Sequence, residues 1–217
     1  MKTLRTVLWA PGELFRRMES RPTWRPAFLV VVLGNVLLTW LNSCLRWSSI
    51  AIDLSVVVGS TISIAAILLV LWLMLSLFLY FFSILLNAQK WFTYRIVFSL
   101  VSHCGIIFLI GEYVNFILLR LGLLKSTSLL LPNRFPIGLD LLLIGKSASI
   151  SLVVLLHSIN PFTIWYFATM AVGISMLARI GKRRAVLVVV SAWAIGVAFA
   201  LLLISGLGGT NIGIRAG

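Results

Sequence analysis

Glu112 is the acidic residue of this chain placed where it could do chemistry, inside a long apolar run that begins near residue 96. A carboxylate in hydrocarbon must be neutral, hydrated or paired, and intramembrane carboxylates often mark ion or proton paths. Asn115 follows at i+3, on the same side of a helix. Earlier in the run, Ser99, Ser102 and His103 cluster on one face, nearly opposite Glu112 at about 100° per helical residue. These five residues are the candidate lining of a small ion or solute pathway. The competing reading is structural. Near the outer end of its helix, Glu112 can pair with Arg46 or Arg120, and this reading is favoured.

Other chemistries fail on residue type or spacing. G-x-S-x-G, H-E-x-x-H, P-loop and C-x-x-C motifs are all missing, so no catalytic site is assigned. Intramembrane proteolysis needs a placed Ser–His pair, an aspartate pair or a zinc site, yet His103 and His157 lie on different segments. His103 beside Cys104 invites a metal, but adjacent helical positions point about 100° apart. His103 is expected to bond a serine hydroxyl or a backbone carbonyl, and no metal or cofactor is assigned. Cys44 and Cys104 fall at different depths, which argues against a disulfide and for two small buried hydrophobes.

The elements that carry these residues are membrane helices. Of 217 residues, 61% are hydrophobic and 11% are charged. A soluble domain has about 45–50% apolar and about 25% charged residues. The net charge of +13 comes from basic residues in short loops beside apolar runs. That is the positive-inside pattern, and it suits anionic lipid head groups rather than nucleic acid.

The chain divides into an amphipathic interfacial segment 1–26, a membrane domain 27–208 and a loose tail 209–217. In the first, Leu14, Phe15 and Met18 share one helical side, with Arg16, Arg17 and Glu19 on the other. Five spans are expected at about 27–45, 61–86, 96–119, 161–180 and 185–207. In span one, Asn35, Thr39 and Asn42 fall at i, i+4 and i+7, so that face should pack on other helices. Span two has no charge and little polarity and is the candidate for lipid exposure. Span three has polar groups on two faces and is expected at the centre of the bundle. Between spans three and four, the apolar runs 139–145 and 149–159 are too short to cross. They are expected to be interfacial or re-entrant helices, with a sixth span over 135–158 as the alternative. In span five Ala192, Gly196 and Ala200 form a small-residue stripe, which calls for a close neighbour within the bundle or in a second copy.

Orientation follows from Lys and Arg. With the amino terminus inside, twelve of the 18 fall on the inner side and six on the outer. The inner basic patch comprises Arg16, Arg17, Arg179, Lys182, Arg183 and Arg184.

Both ends of the chain resemble a known family. The run VLWAPGELFRRMESRPTWRPAFLV is similar to the opening of bacterial Yip (Ypt-interacting-protein) domain proteins, with Pro11 to Phe15 and then Pro22, Trp24 and Pro26 as matching positions. The run Asn160-Pro161-Phe162-Thr163-Ile164-Trp165 resembles the family's Asp-x-Phe-x-x-Trp entry to span four. Gly173 and the basic loop before span five also fit. Asn160 departs from a common acidic residue, and Pro161 is a further difference. The resemblance implies a five-helix integral membrane domain with no catalytic motif. Eukaryotic members bind small GTPases and act in membrane traffic, and bacterial-type members often occur beside exporters. It therefore implies an adaptor, organiser or accessory subunit in a bacterial cytoplasmic membrane, with a protein partner or a second copy. A small transporter using Glu112 is the alternative.

Overall fold

A computed structural model describes residues 11–46, 54–86, 88–89, 92–121, 137–143 and 149–206. The described residues are helical, with no strand among them. In order they form α1 (Pro11–Ser20), α2 (Arg25–Arg46), α3 (Leu54–Leu85) and α4 (Tyr94–Arg120). A 3-10 turn (Leu139–Leu143), α5 (Ile150–His157), α6 (Pro161–Ala178) and α7 (Lys182–Gly206) follow. Thr61–Leu85, Tyr94–Arg120 and Pro161–Ala178 are long and apolar enough to cross a membrane, and Arg25–Leu41 is apolar but shorter. The chain is an integral membrane helix bundle.

Helix α4 is the centre of this bundle. It packs against α1, α2, α3 and α6. Every residue from Ile96 to Ile107 is buried, so over three turns the helix has no face left for lipid. Gly105 permits a close approach of α3, because the Trp72 ring occupies the space a Cβ would need. Farther along α4, Tyr113 donates its hydroxyl to the Gly34 carbonyl of α2 at 2.9 Å.

Helix α3 is the outer wall. Only 17% of its most apolar window is buried. Its buried residues, Trp72, Ser76, Leu79 and Ser83, recur every three or four positions and form one seam toward the core. Ile67, Val70, Leu71, Met74, Leu77 and Phe81 are exposed, as lipid-facing side chains must be. At a rise of about 1.5 Å per residue, 32 residues exceed a hydrocarbon core of about 30 Å, so α3 must tilt or protrude.

One end of the bundle gathers three segments. The apolar side of α1, formed by Leu14, Phe15 and Met18, is buried against α6 and α4. The Gln89 amide donates to the Ala178 carbonyl at 3.3 Å, which ties the α3–α4 connection to the end of α6. The α6–α7 turn lies at the same end and passes through Arg179, whose φ of 52° is left-handed.

The opposite end carries the 3-10 turn and α5. At five and eight residues these are too short to cross, since eight helical residues rise only about 12 Å. The Leu139 amide donates to the Ile159 carbonyl at 3.1 Å, so both ends of this segment meet on one side. Among the described residues of 135–158, no helix is long enough to be the sixth span weighed there.

Candidate functional site

The polar residues of α4 separate into two groups with different fates. In the inner group, Ser102 and His103 bond their own helix. Ser102 donates its hydroxyl to the Phe98 carbonyl at 2.8 Å. His103 Nδ1 lies 2.8 Å from the Ser99 carbonyl. A carbonyl only accepts, so Nδ1 carries the proton. The Ser99 hydroxyl is buried with no hydrogen-bond partner among the described residues. All three sit among Leu100, Val101, Ile106 and Ile107, each fully enclosed. Asn35 and Thr39 of α2 behave alike, donating one turn back to Val31 and Asn35 at 2.8 and 2.9 Å. The side chain of Asn42 lies outside the described residues.

The outer group lines a cavity. Glu112 and Asn115 of α4 open onto a space of about 460 Å³ between α4, α5, α6 and α7. Its other polar walls are His157, Ser158, Asn160 and Thr163, and its rings are Phe108, Phe162, Phe167 and Trp193. Arg120, one of the two partners expected for Glu112, instead places its guanidinium 5.5 Å from the Phe116 ring centroid. It lies eight residues beyond Glu112, about 12 Å of helix rise away. The side chain of the other, Arg46, lies outside the described residues.

The polar walls of the cavity are braced. Asn160 caps α6 by accepting the Thr163 amide at 2.9 Å, and it donates to the His157 carbonyl at 3.0 Å. Asparagine and aspartate cap helices about equally well, so asparagine at 160 serves as an acidic residue there would. Pro161 follows at the first helical position, where a missing N–H costs nothing. His157 Nδ1 lies 2.7 Å from Asp140, and Asp140 also accepts the Gly138 amide at 2.9 Å. Nothing in sequence pairs Asp140 with His157. The aromatic walls were equally hidden, because Phe162 and Trp193 look like ordinary span residues.

The basic residues assemble at the other end. Arg16 and Arg17 are exposed on α1, opposite its docked face. Lys182, Arg183 and Arg184 are exposed on the first turn of α7. Arg179 joins the two elements through an ion pair with Glu19 at 3.1 Å.

The small-residue stripe of α7 divides along its length. Ala192 is buried, whereas Gly196 is exposed with nothing within 4 Å of a would-be Cβ. The side chain position of Ala200 lies outside the described residues. Close helix approach occurs instead at Gly173 of α6, where an added Cβ would stand 3.2 Å from Phe15 and within 3.1 Å of Leu100.

No ligand-binding cluster of three or more His, Cys, Asp or Glu side chains exists among the described residues. No curated protein and no solved structure matches the chain. A family model, the Yip1 domain, matches residues 5–204, and it takes in the docked α1, the central α4 and both polar ends of the bundle. The chain therefore belongs to the Yip1 domain family of membrane proteins.

Proposed function

We propose that this protein is a non-enzymatic adaptor or organiser of a membrane complex, and that its basic end is the working surface. The observation that carries this reading is the docking of α1. Burying Leu14, Phe15 and Met18 against the bundle turns Arg16 and Arg17 outward, at the end of the bundle that also carries Arg179, Lys182, Arg183 and Arg184, with Glu19 and Arg179 paired across the contact. Amphipathic helices are stably placed by such apolar burial, and the cationic side is then fixed rather than swinging free. The partners are anionic head groups and an acidic protein surface or a second copy of the chain, with no nucleic acid.

In this reading α2, α3, α4, α6 and α7 are five spans of a membrane domain over 27–208, after an interfacial segment 1–26 and before a tail 209–217. The basic end faces the cytoplasm of a bacterial cell, with the amino terminus in and the carboxyl terminus out. The transport alternative draws support from Glu112 in its cavity. Against it, the cavity gives way inward to the enclosed turns around Leu100, Val101, Ile106 and Ile107. Ser102 and His103 there are bonded to their own backbone.

The deciding experiment is purification from native membrane with and without Arg16→Gln, Arg17→Gln, Arg183→Gln and Arg184→Gln together. A stoichiometric partner lost in the variant is the expected result. Absence of any partner, combined with solute or ion flux by the purified protein in liposomes, would replace the adaptor with the transporter.

A further inference from the structure

We propose that the cavity between α4, α5, α6 and α7 holds an acyl chain of a bilayer phospholipid. The inference stands apart from the adaptor reading, because it uses neither α1 nor the basic residues.

The polar side of the cavity is already spent on the protein. Asn160 bonds the Thr163 amide and the His157 carbonyl. His157 bonds Asp140, and Ser158 donates its hydroxyl to the Leu155 carbonyl at 2.6 Å. Glu112 and Asn115 are engaged within the protein as well. A water held in a cavity needs about two to four polar partners, and these walls have few to spare. An empty space is no better, since the lining atoms then forgo dispersion contacts. What the walls still offer is the apolar surface of Phe108, Phe162, Phe167, Trp193, Ile137 and Val154.

Depth and opening identify the occupant. Phe108 and Trp193 fall near the midpoints of α4 and α7, so the cavity reaches hydrocarbon depth. Phe108 is 40% exposed, although every α4 residue before it from Ile96 to Ile107 is buried. From Phe108 to Asn115 the lining follows α4 for about 10 Å of helix rise. The volume of about 460 Å³ lies in the range of small-molecule sites. The opening is beside α7. Ala185, Val188, Val189 and Ala192 form its buried side. Gly196 lies one turn further on that same side, yet it is exposed, with open space where a Cβ would stand. Trp193, three positions earlier, is its neighbour on the helix surface and lines the cavity. The bundle-facing side of α7 is thus uncovered next to the cavity, and in a membrane the medium at such an opening is lipid chain. The occupant is a chain rather than a head group, because a head group brings charges and donors that spent walls cannot pair.

The test supplies the protein in nanodiscs with a phosphatidylcholine that carries a diazirine near the end of one acyl chain. Samples are photolysed in the nanodisc and after extraction into maltoside detergent, and adducts are mapped by mass spectrometry. Leu71 and Met74, exposed on α3, report the exchangeable lipid around the bundle. Adducts at Phe108, Phe167 and Trp193 should survive extraction, whereas those at Leu71 and Met74 should fall by about tenfold. Val154→Trp fills the cavity from α5 and should lower the cavity adducts by about tenfold, with the α3 adducts in nanodiscs unchanged. A phosphatidylglycerol with the same labelled chain should mark the cavity equally. Cavity adducts that vanish on extraction together with those of α3 overturn the proposal. So does labelling by only one of the two head-group classes, or labelling unchanged in Val154→Trp. Absence of cavity adducts also overturns it, and a smaller particle for Gly196→Leu would then assign the opening to a second copy. Should Val154→Trp fail to fold, the comparison before and after extraction on the unaltered protein still decides.

Discussion

His157 grips Asp140 at 2.7 Å, joining side chains 17 positions apart and fastening the 3-10 turn to α5. The same carboxylate accepts the Gly138 amide, so one side chain closes both the tertiary contact and the local turn. Asp140→Ala removes both bonds and leaves a largely buried imidazole without this acceptor. The expected cost is about 1–3 kcal/mol, read as a lowered melting temperature in detergent. An unchanged melting temperature would show that the turn is held by other contacts.

The same closure predicts sidedness. Cysteines introduced at Ile137 and at Ser158 should label with a membrane-impermeant reagent from one side of the membrane. Cysteines at Gln89 and Gly181 should label from the other, since the Gln89 amide meets Ala178 at the end of α6. Labelling of 137 and 158 from opposite sides would break the five-span arrangement.

Two contacts hold α1, and their strengths should differ. Phe15 is 1% exposed, and Phe15→Ala is expected to cost about 3–5 kcal/mol through lost burial and the cavity left behind. Glu19 and Arg179 are substantially exposed, so Glu19→Ala should cost no more than about 1 kcal/mol and less at high salt. Paired melting curves in low and high salt test both statements. Equal destabilisation by the two changes would make the ion pair the anchor instead.

The glycines of α6 and α7 should answer substitution in opposite ways. Gly173→Val places a side chain between Leu100 and Phe15 and is expected to destabilise by about 1–3 kcal/mol. Gly196→Leu meets open space within the chain, so its melting temperature should hold. A fall in particle size on a column for Gly196→Leu alone would reveal that this face packs on a second copy.

Ser76 and Ser99 are buried, and their hydroxyls have no partner among the described residues. A buried donor left unmade is a cost, and its removal is neutral or favourable. Ser76→Ala and Ser99→Ala should therefore leave the melting temperature level or raise it. A marked fall for either would point to a bond made by that hydroxyl in the membrane.

The helices themselves were legible from sequence, because an apolar run in a chain so poor in charge has few alternatives. The expected span 96–119 and the observed α4 (Tyr94–Arg120) differ by two residues at one end and one at the other. Helix α3 begins seven residues before the expected 61, since the preceding Leu54–Ser60 stretch carries no charge or proline to stop it. The central place of span three followed from its two polar faces. Its chemistry did not follow, because periodicity cannot tell a serine that bonds its own turn from one that lines a cavity. Ser102 and Glu112 are both polar positions in one apolar run, yet Ser102 bonds its own helix and Glu112 lines the cavity. The site walls escaped for another reason. Phe162, Trp193 and His157 come from three helices, and their convergence depends on how those helices pack, which single-chain spacing does not encode.

The placement of α1 carries a consequence for biogenesis. Glu19 and Arg179, which meet across its docking contact, are separated by 160 positions. Ribosomes add about 5–20 residues each second, so α1 leaves the ribosome roughly ten to thirty seconds before its receptor helix exists. During that interval its apolar side must rest on the bilayer surface or on a chaperone, and the amphipathic sequence suits it to either. The earliest made of the described helices is thus among the last to complete its native contacts. Completed docking of α1, which packs on α6 as well as on the earlier α4, then reports that insertion has reached α6, and a chain arrested before that point would display an incompletely covered Phe15 to the cell's quality control.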